Sequence, residues 1–353
     1  MKQTIWIGSY TDEKRTGIHV LEFDPATVSL RQLDALHGIE GSTYLALNRA
    51  RTRLYTVCSR GAGAPRENSG AVAAYAIDGT RLTLLNLCPT PGTVPCHLSL
   101  TPDEKSLVFA EYALGHCGRV DIGANGALLP DSLTSVQHEG HGPNTARQER
   151  AHAHYAHATP DGRWVAVCDL GLDQVLLYDA ATPGSPWPAE PAHIFHAAPG
   201  AGPRHLCFHP NGRLVFLLNE LDSTVVSMRY DGESLSAIQT LSALPDGFTG
   251  ETKAAAVKIS EDGRFLVTSN RGYDSLATFA IDPDSGRMER MAISALTGPF
   301  PRDFELLPGG KFALVGHKLA DEVACYAFDA ASGSFTRAAA THPTYRPTCI
   351  VAD

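Results

Sequence analysis

Short apolar runs separated by turn-forming residues recur along the chain, and the clearest example lies at residues 202–220. Apolar residues there flank the tetrad Pro210-Asn211-Gly212-Arg213, whose Asn and Gly tolerate the backbone angles of a tight turn. The pattern predicts two antiparallel strands folded back at this turn. Arg204 and Glu220 each lie about eight residues from the bend, so we expect both side chains at the same open end of the hairpin.

The same hairpin pattern occurs five more times, once in a weaker form. Equivalent turn positions fall at residues 50, 102, 160, 210, 261 and 308, and successive positions are separated by 47 to 58 residues. A small sheet cannot bury both of its faces alone and needs neighbouring sheets. A period near 50 with strand-turn-strand content therefore predicts the blades of a β-propeller.

A seventh unit is divided between the two ends of the chain. Residues 347–351 repeat only the opening of the hairpin, whereas residues 4–11 and 17–24 supply strands without such an opening. Pairing the two ends would remove both free sheet edges. We therefore predict an all-β fold, a seven-bladed β-propeller closed by pairing N- and C-terminal strands, as a single domain over residues 1–353.

Composition narrows the classes of partner and the compartment. The net charge is −9 and no basic run occurs, which argues against nucleic acid and against an anionic membrane surface. No apolar run approaches the ~20 residues of a membrane span, and the N-terminus begins directly with a predicted strand. The eight cysteines form no Cys-x-x-Cys pair. These features predict free thiols and a cytoplasmic location.

Two long polar loops are candidates for ligand contacts. Residues 60–70 form one, and Arg60 lies ten residues after the turn position at 50. Residues 137–154 form the other; since they are neither periodic nor apolar, we expect them to lie outside the core and to supply ligand hydrogen bonds. Four histidines of this loop are of a type that binds metal, but no Asp or Cys stands at a recurring ligand spacing, so no metal is predicted. The histidines are His138, His141, His152 and His154.

Equivalent positions in the repeats carry ionisable residues. The positions six before each turn are Tyr44, Cys96, His154, Arg204, Ala255 and Arg302, with Thr348 equivalent in the divided unit. The positions ten after are Arg60, Tyr112, Leu170, Glu220, Arg271 and Lys318. In a ring of blades these positions meet on one face, so neighbouring blades would bring His154, Arg204 and Arg271 together with Glu220.

Such a cluster favours acid–base chemistry on an anionic ligand, although a polar rim of ion pairs around water would explain the same residues. Arginines bind carboxylate or phosphate and stabilise an oxyanion. Glu220 or His154 could accept a proton from water, and the residue pattern does not decide between them. The sequence carries no nucleophile elbow, phosphate loop or dinucleotide fingerprint in a strand-to-helix context, which disfavours serine nucleophiles and nucleotide cofactors.

These motifs together resemble the seven-bladed propeller lactonases of the 6-phosphogluconolactonase type, which share their fold with carboxy-muconate lactonizing enzymes. The segments that carry the resemblance are QHEGHGPN at 137–144, RQE at 147–149, HAH at 152–154, GPRHL at 202–206, NEL at 219–221, FTGE at 248–251 and SNRG at 269–272. The resemblance as a whole covers essentially the full chain.

The resemblance implies hydrolysis of a sugar lactone without an essential cofactor, most plausibly 6-phospho-D-glucono-1,5-lactone in the pentose phosphate pathway. It implies catalytic roles for His154, Arg204, Glu220 and Arg271. Substrate contacts are expected from the following residues of the same motifs and repeat positions: His152, Arg302, Arg60, Glu251 and Asn270. The expected partner is a small anionic lactone, and no oligomeric state is predicted.

Two other functions stay open at this point. One is cycloisomerisation or hydrolysis of a different acidic lactone, such as a muconolactone or an unphosphorylated aldonolactone. The other is a non-catalytic propeller that binds a protein. Such scaffolds usually present aromatic or apolar patches, whereas the opening of the central channel is predicted to be polar and ionisable here.

Overall fold

The fold consists almost entirely of β-strands in four-stranded sheets. The computed structural model describes residues 1–12, 15–61, 65–179 and 182–353. These residues contain 28 strands in seven sheets and one short 3-10 helix, Arg66–Asn68. Residues 62–64 of the predicted polar loop at 60–70 lie outside the described residues.

The first four sheets in chain order have the following strands. The terminal sheet, with strand order β28-β1-β2-β3, contains β1 Gln3–Ser9, β2 Thr16–Asp24, β3 Ser29–His37 and β28 Pro347–Ala352. The next contains β4 Leu45–Leu47, β5 Arg53–Ser59, β6 Gly70–Asp78 and β7 Arg81–Pro89. The third contains β8 His97–Leu100, β9 Ser106–Glu111, β10 His116–Ile122 and β11 Leu128–Gln137. The fourth contains β12 Ala153–Ala158, β13 Val165–Asp169, β14 Gln174–Tyr178 and β15 His193–His196.

The remaining three sheets follow the same plan, in which consecutive strands are hydrogen-bonded neighbours. The fifth contains β16 Pro203–Phe208, β17 Leu214–Asn219, β18 Thr224–Tyr230 and β19 Leu235–Ser242. The sixth contains β20 Lys253–Ile259, β21 Phe265–Arg271, β22 Ser275–Ile281 and β23 Met288–Ala295. The seventh contains β24 Pro301–Leu306, β25 Phe312–His317, β26 Glu322–Asp329 and β27 Ser334–Pro343.

These seven sheets confirm the predicted seven-bladed β-propeller. They also confirm its predicted closure, because β28 pairs with β1 in one sheet and the backbone N–H of Asp353 donates to the carbonyl of Thr4 at 3.0 Å. The fourth strand of this blade therefore comes from the other end of the chain.

Turn chemistry explains why the hairpins repeat. In the fifth sheet, Asn211 Oδ1 accepts the backbone N–H of Arg213 at 2.9 Å, and Gly212 adopts a positive φ of 69°. In the fourth sheet, Asp161 Oδ1 accepts the N–H of Arg163 at 3.1 Å. Each side chain closes its turn within three residues, so the turn forms from local sequence alone.

The chain divides into two compact units. Unit 1 comprises Met1–Ile7, His19–Leu33 and Arg204–Asp353, and unit 2 comprises Gly8–Ile18 and Asp34–Pro203. Each has its own apolar clusters, such as the one around Phe216 and Phe279 in unit 1 and the one around Val167 and Tyr178 in unit 2. A single domain over residues 1–353 stays a prediction. Among the described residues there is no helix with the length and apolar character needed to span a lipid bilayer.

Candidate active site

Three ionised side chains of unit 1 form a buried cluster, which we call the Arg-Glu-Arg cluster: Arg204, Glu220 and Arg271. Arg204 lies on β16, Glu220 directly follows β17, and Arg271 ends β21. Glu220 Oε2 accepts Arg204 Nε at 2.9 Å and pairs with Arg271 Nη2 at 2.8 Å. The side chains are only 2%, 5% and 4% exposed. The structure thus confirms that Arg204 and Glu220 emerge side by side, and it places Arg271 with them.

Backbone carbonyls at the start of β20 hold both guanidinium groups. Arg271 donates from Nε to the Lys253 carbonyl at 3.0 Å and from Nη2 to the Ala254 carbonyl at 2.8 Å. Arg204 Nη1 donates to the Ala255 carbonyl and lies 3.0 Å from His205 Nε2. These contacts fix the planes of both guanidinium groups, so their N–H vectors are set before any ligand binds.

A β-bulge in β20 places Ala255, whose carbonyl accepts from Arg204, outside the regular ladder. The pairing of β20 with β21 shifts register between Ala254 and Val257, and a bulge leaves a residue outside the ladder. The sequence places a small apolar residue, Ala255, at the position where other repeats carry ionisable side chains. Its contribution is therefore a main-chain acceptor, which inspection of side chains alone could not reveal.

Bulges also occur at two other predicted site residues. In β12 the register shifts between Ala153 and Tyr155, at His154. In β24 it shifts between Pro301 and Asp303, at Arg302. A bulge changes the direction in which a side chain points. These two residues therefore do not follow the alternation of side chains between the two faces of the sheet that the rest of each strand shows.

In unit 2, His152 and His154 meet at the ring of Tyr112. The rings of His152 and Tyr112 stack at 4.3 Å, and His154 approaches Tyr112 edge-on at 5.5 Å. His152 Nδ1 lies 2.8 Å from the Tyr112 carbonyl and its Nε2 lies 3.3 Å from Glu149 Oε2. The carbonyl can only accept, so Nδ1 carries a proton in this arrangement. Tyr112 stood in the repeat register without an assigned role, and the structure makes it the platform for both histidines.

The other predicted substrate contacts are placed as follows. Arg60 is exposed, and its Nη1 donates to the Asn68 carbonyl at 3.2 Å. Asn270 is fully buried and donates from Nδ2 to the Ala243 carbonyl at 2.9 Å. Glu251 is exposed, and a Cβ on Gly272 would come within 2.3 Å of its carbonyl oxygen. For Asn270 the observed bond is internal to the fold; substrate contacts by all three residues stay predictions.

The loop between β11 and β12 is partly buried, so the expectation that residues 137–154 lie outside the core is wrong. Gln148 is fully buried and donates from Nε2 to the Leu170 carbonyl and to Asp173 Oδ1, each at 2.8 Å. His138 is also buried, with Nδ1 2.7 Å from Asp169 Oδ2. Polar residues can enter a core when every polar atom finds a partner. Since His138 pairs inside the protein, it is not the ligand-facing histidine that the sequence suggested.

The described residues contain no group of three or more His, Cys, Asp or Glu side chains that could hold a metal ion. The Arg-Glu-Arg cluster of unit 1 consists of ionised groups. Two guanidinium groups and one carboxylate give the Arg-Glu-Arg cluster a net charge of +1. In a buried setting that charge attracts an anion much more strongly than it would in water.

Comparison with known proteins identifies a family for the chain. The family model described as "Lactonase, 7-bladed beta-propeller" matches residues 4–352. The chain is 31% identical over 353 residues to the 6-phosphogluconolactonase of Bacillus subtilis, with 98% of this chain and 97% of that protein covered. It is 35% identical over 339 residues to an uncharacterized protein of Lactococcus lactis, covering 95% of each.

Solved structures are equally similar. The periplasmic gluconolactonase of Pseudomonas aeruginosa matches with a TM-score of 0.91 at 30% identity, covering 100% of this chain and 99% of that one. A protein from Lactobacillus plantarum matches with a TM-score of 0.90 at 33% identity, covering 100% of both chains. The family model covers nearly every residue and the relatives match from end to end. The chain therefore belongs to the seven-bladed β-propeller lactonase family.

Proposed function

We propose that this protein hydrolyses 6-phospho-D-glucono-1,5-lactone to 6-phosphogluconate, the step that serves the pentose phosphate pathway. The buried Arg-Glu-Arg cluster is the observation that carries the proposal. Membership of the lactonase family supports lactone hydrolysis, and the Bacillus subtilis relative named 6-phosphogluconolactonase supports the phosphorylated sugar.

Hydrolysis begins when water attacks the lactone carbonyl carbon. The carbonyl oxygen becomes an oxyanion, and the water gives a proton to a general base. The bond from the carbonyl carbon to the ring oxygen then breaks, and the ring oxygen takes the proton back from the base to become a hydroxyl. The open-chain carboxylic acid releases its remaining proton to water, which leaves a carboxylate. N–H donors from Arg204 or Arg271 stabilise the oxyanion or bind the anionic group.

Two residues are candidates for the base. Glu220 in its ionised form accepts two guanidinium donors, and a carboxylate within reach of water can take its proton. His154 is the other candidate, by its repeat position and by the family resemblance. Its participation with the Arg-Glu-Arg cluster stays a prediction, and substituting His154 by Asn tests it by the loss of kcat.

An unphosphorylated lactone is the second candidate substrate. The Pseudomonas aeruginosa neighbour is named a gluconolactonase, which favours D-glucono-1,5-lactone as the comparison. Measuring kcat/KM for both lactones, each corrected for spontaneous hydrolysis, separates the two. Turnover of neither lactone, together with isolation of one stoichiometric protein partner, would favour a non-catalytic binding function instead.

We propose that the reaction needs no metal or other cofactor, and that the protein works in the cytoplasm without nucleic acid or membrane partners. The eight cysteines are free thiols in the structure, which supports a reducing compartment. Treatment with a chelator should leave kcat unchanged. Restoration of activity by an added divalent cation would contradict this.

Substituting Arg271 by Lys should lower kcat/KM for the lactone about 10²–10³-fold, the usual effect of removing one oxyanion donor. Lysine keeps the positive charge but loses the planar fork that binds the Lys253 and Ala254 carbonyls and Glu220 together. The measurement is the initial rate of 6-phosphogluconate formation. Substituting the exposed Arg287, which directly precedes β23 of the same sheet, by Lys is the matched control and should change nothing. Equal rates in parent and R271K would remove Arg271 from the mechanism.

A further inference from the structure

The seventh sheet carries two positive charges where the fifth carries an ion pair. Arg302 and Lys318 occupy the positions that Arg204 and Glu220 occupy in the fifth sheet. Arg302 is the second residue of β24 and Lys318 directly follows β25, in a strand pair where Pro301 pairs with His317. Like charges that lie close together repel each other. The seventh sheet thus carries an ammonium group where the fifth carries a carboxylate, and an anion bound beside Arg302 and Lys318 would relieve their repulsion.

A third cation belongs to the same group. Arg346 directly precedes β28, and its charge acts on Lys318. Burial, followed by the charges of Arg302, Arg346 and Arg271, lowers the pKa of the Lys318 ammonium from 10.5 to about 8. Lys318 and Arg302 are half-buried, whereas Arg346 is exposed. These cations thus lie close enough to repel one another, at a position that a ligand can reach.

Phe300 connects these cations to the Arg-Glu-Arg cluster. Lys318 Nζ lies 5.5 Å from the centroid of the Phe300 ring, and Arg271 Cζ lies 5.2 Å from it. Both contacts have cation–π geometry. One aromatic ring therefore separates the cations of the seventh sheet from a member of the buried cluster, a spacing suited to two ends of one small ligand.

Two bulky residues at this site, Phe300 and Arg346, adopt a strained left-handed backbone conformation. The residues two before Arg204, Arg302 and Thr348 are Gly202, Phe300 and Arg346, with φ of 70°, 60° and 41°. Each donates its N–H to an aspartate: Gly202 to Asp173 at 2.8 Å, Phe300 to Asp274 and Arg346 to Asp321 at 2.9 Å. Glycine adopts positive φ freely, but bulky residues do so at a cost. Strain retained at bulky residues is typical of functional sites.

We propose that Arg302, Lys318 and Arg346 form a subsite for a phosphomonoester group of the ligand, beside the Arg-Glu-Arg cluster that acts on the lactone carbonyl. This inference rests on the proposed function for the orientation of the ligand. The binding of a phosphomonoester by the three cations can be measured without turnover.

The first test compares binding of 6-phosphogluconate and gluconate by calorimetry at pH 7. The parent should bind 6-phosphogluconate at least tenfold more tightly. Substituting Lys318 by Met, or Arg346 by Ala, should weaken 6-phosphogluconate binding about tenfold or more, as loss of a charged hydrogen bond does, and leave gluconate binding unchanged. Lys311 is exposed and precedes the opposite end of β25, so Lys311→Met is the matched control. Equal affinity of the parent for both acids, or unchanged binding in both variants, overturns the subsite.

The two proposals fail separately in this design. A parent that binds 6-phosphogluconate through Lys318 but hydrolyses neither lactone keeps the subsite and contradicts the lactonase. A parent that hydrolyses lactones with no preference for the phosphorylated sugar, and whose K318M variant binds both acids like the parent, keeps the lactonase and contradicts the subsite. Inorganic phosphate is the third probe: it should compete with 6-phosphogluconate in the parent and lose this effect in K318M.

The Tm of K318M and the pH dependence of 6-phosphogluconate binding distinguish a ligand-binding Lys318 from one that only stabilises the fold. The lowered pKa means that folding disfavours the charged ammonium, so K318M should have an unchanged or higher Tm than the ligand-free parent at pH 7. Affinity of the parent for 6-phosphogluconate should decline as pH rises above about 8, because Lys318 loses its charge while Arg271, Arg302 and Arg346 keep theirs. Lys318→Arg should keep its affinity up to pH 9.5. A lower Tm in K318M, or the same pH dependence in K318R, contradicts the proposal.

Discussion

Substituting Glu220 by Gln should lower kcat for lactone hydrolysis about 10²–10⁴-fold, the range expected when a general base is lost. The same substitution should destabilise the fold by up to about 3–5 kcal/mol, because it leaves two buried guanidinium groups without their anion. Glutamine has nearly the same shape and keeps one carbonyl acceptor, so the fold should survive. Initial rates and chemical denaturation of the same preparation measure the two effects.

The control for this substitution is Glu261→Gln, an exposed residue in the turn between β20 and β21. Its rate and its free energy of unfolding should match those of the parent. A destabilised E220Q variant with the full rate would make Glu220 a structural counter-ion for Arg204 and Arg271, and would leave His154 as the remaining candidate base. A pH profile of kcat/KM that keeps its acidic limb in E220Q would support the same assignment.

Much of the fold was predictable because its repeating signal is local. In the turns at residues 211 and 262, an Asn or Asp side chain accepts the N–H of the residue two positions later. Such turns are encoded in a few consecutive residues, so the repeat survives even where the strands vary. The pairing of Arg204 with Glu220 follows from the same fact, since both residues are counted from one turn.

The bulges were not predictable in the same way. At Arg302 the register shift requires one strand to carry an extra residue relative to its partner, and the apolar pattern of β24 gives no sign of it. The Ala255 carbonyl that accepts from Arg204 lies at another such shift. The sequence shows which side-chain groups are available for contacts, whereas this contact is made by a backbone carbonyl group.

Buried polar residues in the loop before β12 were missed because their partners are remote in sequence. His138 pairs with Asp169, 31 residues away, and contacts Tyr178, 40 residues away. A polar sequence ordinarily indicates a solvated loop. Only the three-dimensional structure shows that Asp169 is the charged partner of buried His138. We expect removal of this partner to lower the stability of the fold substantially.

Asp169 accepts hydrogen bonds from four donors and is fully buried. Its Oδ1 accepts the backbone N–H groups of His152 at 2.8 Å, Gly171 at 2.9 Å and Leu172 at 3.1 Å. Its Oδ2 lies 2.7 Å from His138 Nδ1. Substituting Asp169 by Ala should destabilise unit 2 by about 3–5 kcal/mol, because a buried charged partner and three N–H groups lose their acceptor. It should also disturb the backbone of His152, and with it the stacking on Tyr112.

Asp169→Asn separates the ion pair from the backbone contacts, because its amide oxygen still accepts N–H groups but carries no charge. Although burial opposes the charged imidazole, Cys117 and the hydrogen bond to Asp169 raise the pKa of His138 from 6.5 to about 10. Because the folded pKa lies above the unfolded one, this group stabilises the fold fully below pH 6.5 and loses its contribution as pH rises through about 10. Denaturation of the parent should show that decline, and D169N should show a smaller one. The exposed Asp131→Asn should behave like the parent. A D169N variant with the parent's pH dependence would mean that His138 folds as the neutral imidazole, and the pair would then be a neutral hydrogen bond.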